Sequence, residues 1–471
     1  MRFGCNGSRC WLALALVLSA AVTGGLWLEA VHAQDDSQPL RPTLGPPQSA
    51  DDLIPKGTDK KVDEKEIEAP SKVLDQPKPP DDDSKPTISV RGRIHADAII
   101  VNQSTKNQAI VGDVQDATGF RRARLGAEGT VGEHVYWVGE WDFAGGSISF
   151  KDVFVGVDKL PIVKRVAVGH FNEPFNLELA TSSNFFPFIE RSSVNSLAPG
   201  RNWGACIFSY TESERATLAL GAFRSGSSNS SGDNFTDEND MAYDVRATAL
   251  PWYDDSADHY RVLHLGAAFS QRFPFNDTVT ISQGPQSNLL NIADNVGSPF
   301  VPSITIPASQ QQLYNLQAAL VVGPFSIQSE WSATRMHETD GRPVFLDGCY
   351  VYTSYFLTGE HREYLPKDGI FGITKVLSPF LCLKNGCTAA RGPGAWEILA
   401  RFGYINYNNP NIPLVNGLQA GNRETEFTLG FNWYLNDYTR VMFNYTHVIL
   451  LNPNFGPSFA GAYAMRFEIF W

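Results

Sequence analysis

The stretch that most constrains the fold is Gly119 to Phe143, GFRRARLGAEGTVGEHVYWVGEWDF. Two runs alternate with period two around a Gly-Glu-His turn, the sequence form of an antiparallel hairpin. In the second run Val135, Trp137, Gly139, Trp141 and Phe143 share one face, and Tyr136, Val138, Glu140 and Asp142 share the other. In the first, Leu125 and Ala127 oppose Arg122, Arg124 and Glu128. Soluble half-buried sheets alternate too. Here Trp and Phe gather near the end of the run while the opposite face carries full charges, which suits a ribbon with lipid on one side and water on the other.

The rest of the chain extends that pattern. Runs of strand length fall at 87–101, 119–130, 134–144, 147–158, 163–171, 201–210, 215–224, 240–250, 259–272, 311–322, 324–336, 347–358, 394–405, 423–435, 437–449 and 459–471. This gives an all-β chain of about 16 strands, and roughly 9–11 residues suffice for a tilted strand to cross an outer membrane. Aromatics at 12% and charged residues at 19%, with 40 Gly and 29 Pro, fit many strands and turns better than helices. The final run puts Tyr463, Met465, Phe467, Ile469 and Trp471 on one face against Arg466 and Glu468. Connection lengths alternate as well. Short turns appear at Gly132-Glu133, Leu160-Pro161, Glu212-Ser213, Gly323-Pro324 and Asn436-Asp437, and long connections at 172–200, 225–239, 273–310 and 406–422. A transmembrane antiparallel β-barrel with a periplasmic N-terminus predicts this asymmetry. The segment 359–393 breaks it: either the short-turn rim carries one long turn, or a strand is miscounted there.

The N-terminus is different material. Arg2 and Arg9 precede an apolar run from Trp11 to Leu28, and Val31-His32-Ala33 offers a cut site, so residues 1–33 read as a secretory signal peptide, with an uncleaved anchor as the alternative. Residues 34–86 are rich in Pro, Asp and Lys, carry almost no aromatics, and read as a disordered linker with room for a short helix within Asp59 to Glu68. Residues 87–471 form the barrel. No second run of about 18 apolar residues occurs, so insertion after export has to use strands. Lys and Arg number 10 against 14 Asp and Glu up to Pro86, and 28 against 36 beyond it; both parts are acidic, which argues against a nucleic-acid surface. Cys382 and Cys387 flank an LKNG turn and can close a loop disulfide. Cys206 and Cys349 read as small apolar fillers, and no Cys or His spacing supports a metal site.

Several motifs in order, GFRRARLGAEG, WVGEWDFAGG, FKDVFVGVDKLP, VAVGHFNEPFNLE, FIERSSVNSLAPGRNWG, YVYTSYFLTGEHREY, GAWEILARFGYI and FTLGFNWYLNDYTRVMFNYTHV, resemble the phosphate-selective porin O and P family over roughly Ile88 to Trp471. The resemblance implies a sixteen-stranded outer-membrane porin, usually a homotrimer in outer-membrane lipid. It implies a long loop folded into each pore, basic residues along a path for small anions, and no cofactor. Period two places Arg122, Arg124, Arg165, Arg246, Arg272, Arg401, Arg440 and Arg466 toward the lumen, with Glu128, Glu140, Asp142, Asp152, Glu397 and Glu426 as counterparts. Arg122, Arg124, Glu140, Asp142, Arg246 and Arg401 are the pore-lining candidates, either as an anion strip or as a charge ladder bracing the wall. The 172–200 segment is the candidate constriction loop: Phe175, Leu177, Leu179, Phe185, Phe186 and Phe188 do not suit a solvent loop, and burial against the wall would bring Glu178, Glu190 and Arg191, with Arg201 just beyond, to the narrowest section. An external lid or a trimer contact is the other reading. The loop has no lysine cluster and the mature chain is acidic, so the barrel follows from the resemblance but phosphate selectivity does not. Two rivals remain. A barrel hydrolase would need Ser or carboxylate beside His, and the nine His sit in no Gly-x-Ser-x-Gly setting. A soluble secreted β-protein binding carbohydrate would show aromatic cores and no outward apolar band.

Overall fold

The structure, a computed structural model, describes residues 85–225, 240–256, 260–283, 301–338, 342–381, 392–412, 414 and 417–471. The expected signal peptide at 1–33, nearly all of the expected linker at 34–86 and the Cys382–Cys387 pair lie outside these residues. The strands begin with β1 (Ser89–Gln103), β2 (Ala117–Val131), β3 (Val135–Asp142), β4 (Ser149–Asp158), β5 (Arg165–Asn172), β6 (Arg201–Tyr210), β7 (Ala216–Arg224), β8 (Met241–Asp254) and β9 (Arg261–Arg272). They continue as β10 (Thr278–Gln283), β11 (Val301–Val322), β12 (Phe325–Glu338), β13 (Pro343–Phe356), β14 (Tyr364–Leu365), β15 (Ile370–Phe371), β16 (Ala395–Asn406), β17 (Arg423–Asn436), β18 (Thr439–Asn452) and β19 (Gly456–Phe470). All pairings are antiparallel. Each of β1–β9, β11–β13 and β16–β19 pairs with its neighbour, and β1 pairs both with β2 and, from Arg93↔Phe470 to Gln103↔Ala460, with β19. The result is a closed sixteen-strand barrel with no free edge, as lipid demands.

The two faces of the wall are reversed relative to a soluble protein. Outward positions carry Leu125, Leu218, Leu265, Phe427, Met465 and Phe467, all exposed, with Leu429 at 61%. Inward positions carry Glu140, Arg440, Arg466 and Glu468, each at most 2% exposed. Such a distribution is stable only where the outside is hydrocarbon and the inside supplies charge partners.

Three departures from strict reading have local causes. First, β1 and β2 slip between His95 and Ala96: His95 faces Arg122 and Ala96 faces Phe120, so Arg121 is an extra, bulged residue. The bulge flips the side-chain phase, which is why Phe120 is exposed while Arg122 is buried. Second, β11 begins at Val301, ten residues before the run expected at 311; its first part pairs with β10 through Thr278↔Pro307 to Gln283↔Val301, whereas β9 meets β11 only from Gln311. This hairpin continues past the end of β9. Third, β13 pairs directly with β16, so no strand is miscounted. The long turn at 357–394 is real. It leaves the rim where the chain also begins and ends its barrel, and β14 and β15 form a small hairpin within it.

Candidate functional site

Two chain segments enter the lumen from opposite rims. The first joins β5 to β6. Asn176 caps the short helix Leu177–Ala180, accepting from the Leu179 amide at 3.1 Å, and the Leu177 and Glu178 amides donate to the Glu330 carboxylate of β12 at 2.9 and 2.8 Å. Phe175, Phe186 and Phe188 are buried; Phe188 meets Tyr352 edge-on at 5.3 Å and packs with Val194, Tyr350 and Leu399. Polar ties fix the rest of the loop to the β16–β19 wall. Arg440 donates to the Phe186 and Ser183 carbonyls at 3.1 and 3.3 Å, Asn432 to that of Pro187 at 2.8 Å, Arg466 to that of Ile189 at 2.6 Å and Arg401 to that of Glu190 at 2.9 Å. The loop is folded inward, as its apolar residues require.

The second segment is the long turn. Asp368 pairs with Arg165, and Arg246 donates to the Gly369 carbonyl at 2.8 Å. The Tyr364 hydroxyl meets His264 Nδ1 at 2.6 Å, and the Tyr364 amide donates to the Tyr260 hydroxyl at 2.8 Å. Arg362 lies 3.8 Å over the Phe371 ring. The two segments touch: Leu177 shares an apolar cluster with Tyr364, Ile370 and Phe371, and the Phe371 amide lies 3.5 Å from the Thr181 hydroxyl.

Two cavities on the β1–β8 side both reach Asn172, whose Oδ1 accepts no hydrogen bond. The first is lined by Arg91, Arg93, Arg122, Arg124, Arg191 and Arg201, with Asp152 as its one acid. Most of these cations are matched. Arg91 meets Glu128 at 2.6 Å, Arg93 meets Glu140 at 2.9 Å, and Arg124 bridges Glu140 and Asp142 at 2.9 Å each. Arg201 holds Asp152 with two hydrogen bonds of 3.0 and 2.9 Å. Arg191 is satisfied by neutral oxygens, the carbonyls of Glu178 and Thr181 at 2.9 and 2.8 Å, and lies over Phe186; burial lowers its pKa to about 10, against the pull of Glu178. Arg122, 3% exposed, has His95 Nδ1 at 3.3 Å and no carboxylate within ion-pair distance among the described residues.

The bulge supplies the counterweight. Arg121 reaches Glu190 with hydrogen bonds of 2.7 and 3.3 Å, and Arg466 meets the same carboxylate at 3.0 Å. Burial by itself would raise Glu190, but Arg121, Arg122 and Arg466 outweigh it and hold its pKa at about 2. Glu178 turns the other way, accepting from the Ser192 amide at 3.1 Å and lying 3.7 Å from Arg401.

The structure therefore brings Arg122, Arg124, Arg191 and Arg201 together around one opening, with Glu140 and Asp142 as the partners of Arg124 rather than as lining residues. Arg246 stands at the second cavity, and Arg401 sits on the opposite wall as a clamp for the loop. Three groups escaped the sequence reading. Arg91 and Arg93 alternate with Val90, Gly92 and Ile94, so their signal was present in the period; Arg121 is hidden by the bulge; Asp368 belongs to the turn whose length already broke the pattern. Cys206 is a buried thiol, whereas Cys349 faces outward and is only partly covered, so it fills no interior space.

A closed sixteen-strand barrel, apolar outside, charged inside and narrowed by an inward loop, defines the class: an outer-membrane porin. The phosphate-selective porin O and P family matches residues 88–449, and the chain belongs to that family. It is 26% identical over 387 residues to Porin O of Pseudomonas aeruginosa, covering 76% of this chain and 82% of that one. An uncharacterized protein of Caulobacter vibrioides is also 26% identical, over 69% of this chain and 62% of its own length. Among solved structures, an anion-selective porin from Comamonas acidovorans aligns at 10% identity, over 82% of this chain and all of that one, with a TM-score of 0.49. The trimer form of OmpT from Vibrio cholerae aligns at 11% identity, over 82% and 99%, with a TM-score of 0.48.

Proposed function

We propose that this porin passes small anions by passive diffusion through the arginine-lined side of its lumen, as a homotrimer exported on residues 1–33, with residues 34–86 as a periplasmic linker. One observation carries the reading: six guanidiniums around the opening meet four carboxylates, Glu128, Glu140, Asp142 and Asp152, so that Arg122 and Arg191 remain without acid partners. Arg191 already spends its donors on carbonyls. Arg122 is the cation left for a passing solute.

The physics is that of a charge in a confined path. At 4 Å a unit charge attracts an anion by about 1 kcal/mol in bulk water and about 4 kcal/mol at an effective dielectric of 20, enough to bias which ion enters without holding it. The paired arginines add directional donors, since a guanidinium stays charged and presents two N–H groups to one oxyanion. Water and ions need nothing further, so the mechanism requires no proton transfer and no cofactor.

The test is the zero-current potential in a KCl gradient across a planar bilayer. Arg122→Ala is expected to lower the chloride-to-potassium permeability ratio several-fold. An unchanged ratio would reduce Arg122 to bracing and overturn the assignment. Inorganic phosphate that fails to block chloride current would separate general anion preference from phosphate preference.

A further inference from the structure

The second cavity differs in kind from the first. It lies between the tip of the long turn and the β5–β8 wall. Its walls are mainly carbon: Phe171, Pro174, Ala180, Phe208, Ala219 and Ile370. The charges at its edge are unequal. Arg165 is paired with Asp368, the lining carboxylate Glu173 with Arg272 at 2.5 Å, and Lys367 lies 3.1 Å from Glu214. Arg246 is 5% exposed and donates only to neutral oxygens, Gln317 Oε1 at 3.0 Å and the Gly369 carbonyl at 2.8 Å; among the described residues no carboxylate lies within ion-pair distance of it.

An apolar chamber with one uncompensated buried guanidinium complements a particular solute: one carboxylate attached to a compact apolar body. Phosphate and other fully hydrated anions would have to give up water to carbon walls that return nothing, whereas an aromatic or branched carboxylate keeps a charge-assisted contact and buries its hydrocarbon. Asn172 lines both cavities, so the two lie side by side along the β5 wall.

We infer that the Arg246 chamber is a second solute station, which selects monocarboxylates with an apolar body over small inorganic anions. The inference rests on the anion reading proposed above and deepens it.

Acetate and benzoate share the charge and the carboxylate and differ in the apolar body, so they isolate the claim. Each is added to both compartments of a bilayer holding the full-length protein, and block of chloride current is titrated. Benzoate is expected to half-block at a concentration roughly tenfold below acetate, as a partly buried ring would give. Arg246→Gln is expected to raise both half-blocking concentrations roughly tenfold, the effect of losing one charge-assisted hydrogen bond. Phe208→Ser is expected to weaken benzoate and leave acetate where it was. Retained heat-modifiable mobility on gels shows that each variant is folded, and Phe208→Ser keeps the test alive if Arg246→Gln is not. Equal block by the two anions, or equal weakening of both by Phe208→Ser, overturns the chamber's selectivity while leaving the anion reading intact. A wild-type zero-current potential on the potassium side would instead overturn the anion reading itself.

Discussion

At the scale of single residues, the lumen is a network in which few charges are free. Arg466 is fully buried and holds Asp97 with hydrogen bonds of 2.8 and 2.6 Å as well as Glu190. Breaking a buried pair from one side leaves the other charge stranded, so Arg466→Ala is expected to cost about 3–5 kcal/mol, read as a lower urea midpoint of the folded barrel in detergent; an unshifted midpoint would refute that bracing role. Glu190 predicts a pH dependence. Its folded pKa of about 2 lies below the ordinary 4.5, so its stabilisation is fully present above 4.5 and is lost as pH falls toward 2. Heat resistance of the wild type should therefore decline between those values, and Glu190→Gln should flatten the decline; identical curves would show that Glu190 does not dock the loop. The period-two pattern found Arg466 and the apolar content of the 172–200 loop pointed to Glu190, but Arg121 was missed, because one bulged residue in β2 reverses the phase, and a bulge is set by pairing across strands rather than by the residues of one.

At the scale of elements, the strands were legible in the sequence because each must satisfy two solvents at once, and that leaves a strict alternation in residues such as Leu429, Phe431 and Trp433 against Thr428 and Asn432. The inward loop was legible too, since its phenylalanines demanded cover. The long turn was visible only as an anomaly of length. Its route depends on partners far away in the chain, Arg165 and Arg246 among them, which no local pattern announces. Releasing it has a measurable consequence. Asp368→Asn removes the ion pair to Arg165 and loosens the tip that fills this end of the lumen, so single-channel conductance should rise or flicker between levels. A conductance trace identical to the wild type would mean that the turn is held by its aromatic contacts alone.

For the whole molecule, the account depends on one boundary, with hydrocarbon outside the wall and water inside it. Leu429 lies well exposed on the outward face of β17, where an arginine near the bilayer midplane costs about 2–4 kcal/mol. Leu429→Arg is expected to lower the yield of folded, heat-modifiable barrel in lipid; equal yield would place that face away from the hydrocarbon. The most direct measurement is the wild-type protein in a planar bilayer under a tenfold KCl gradient. Stepwise conductance with a zero-current potential displaced toward the chloride equilibrium value is the expected result; a silent bilayer, or a displacement toward potassium, would contradict it.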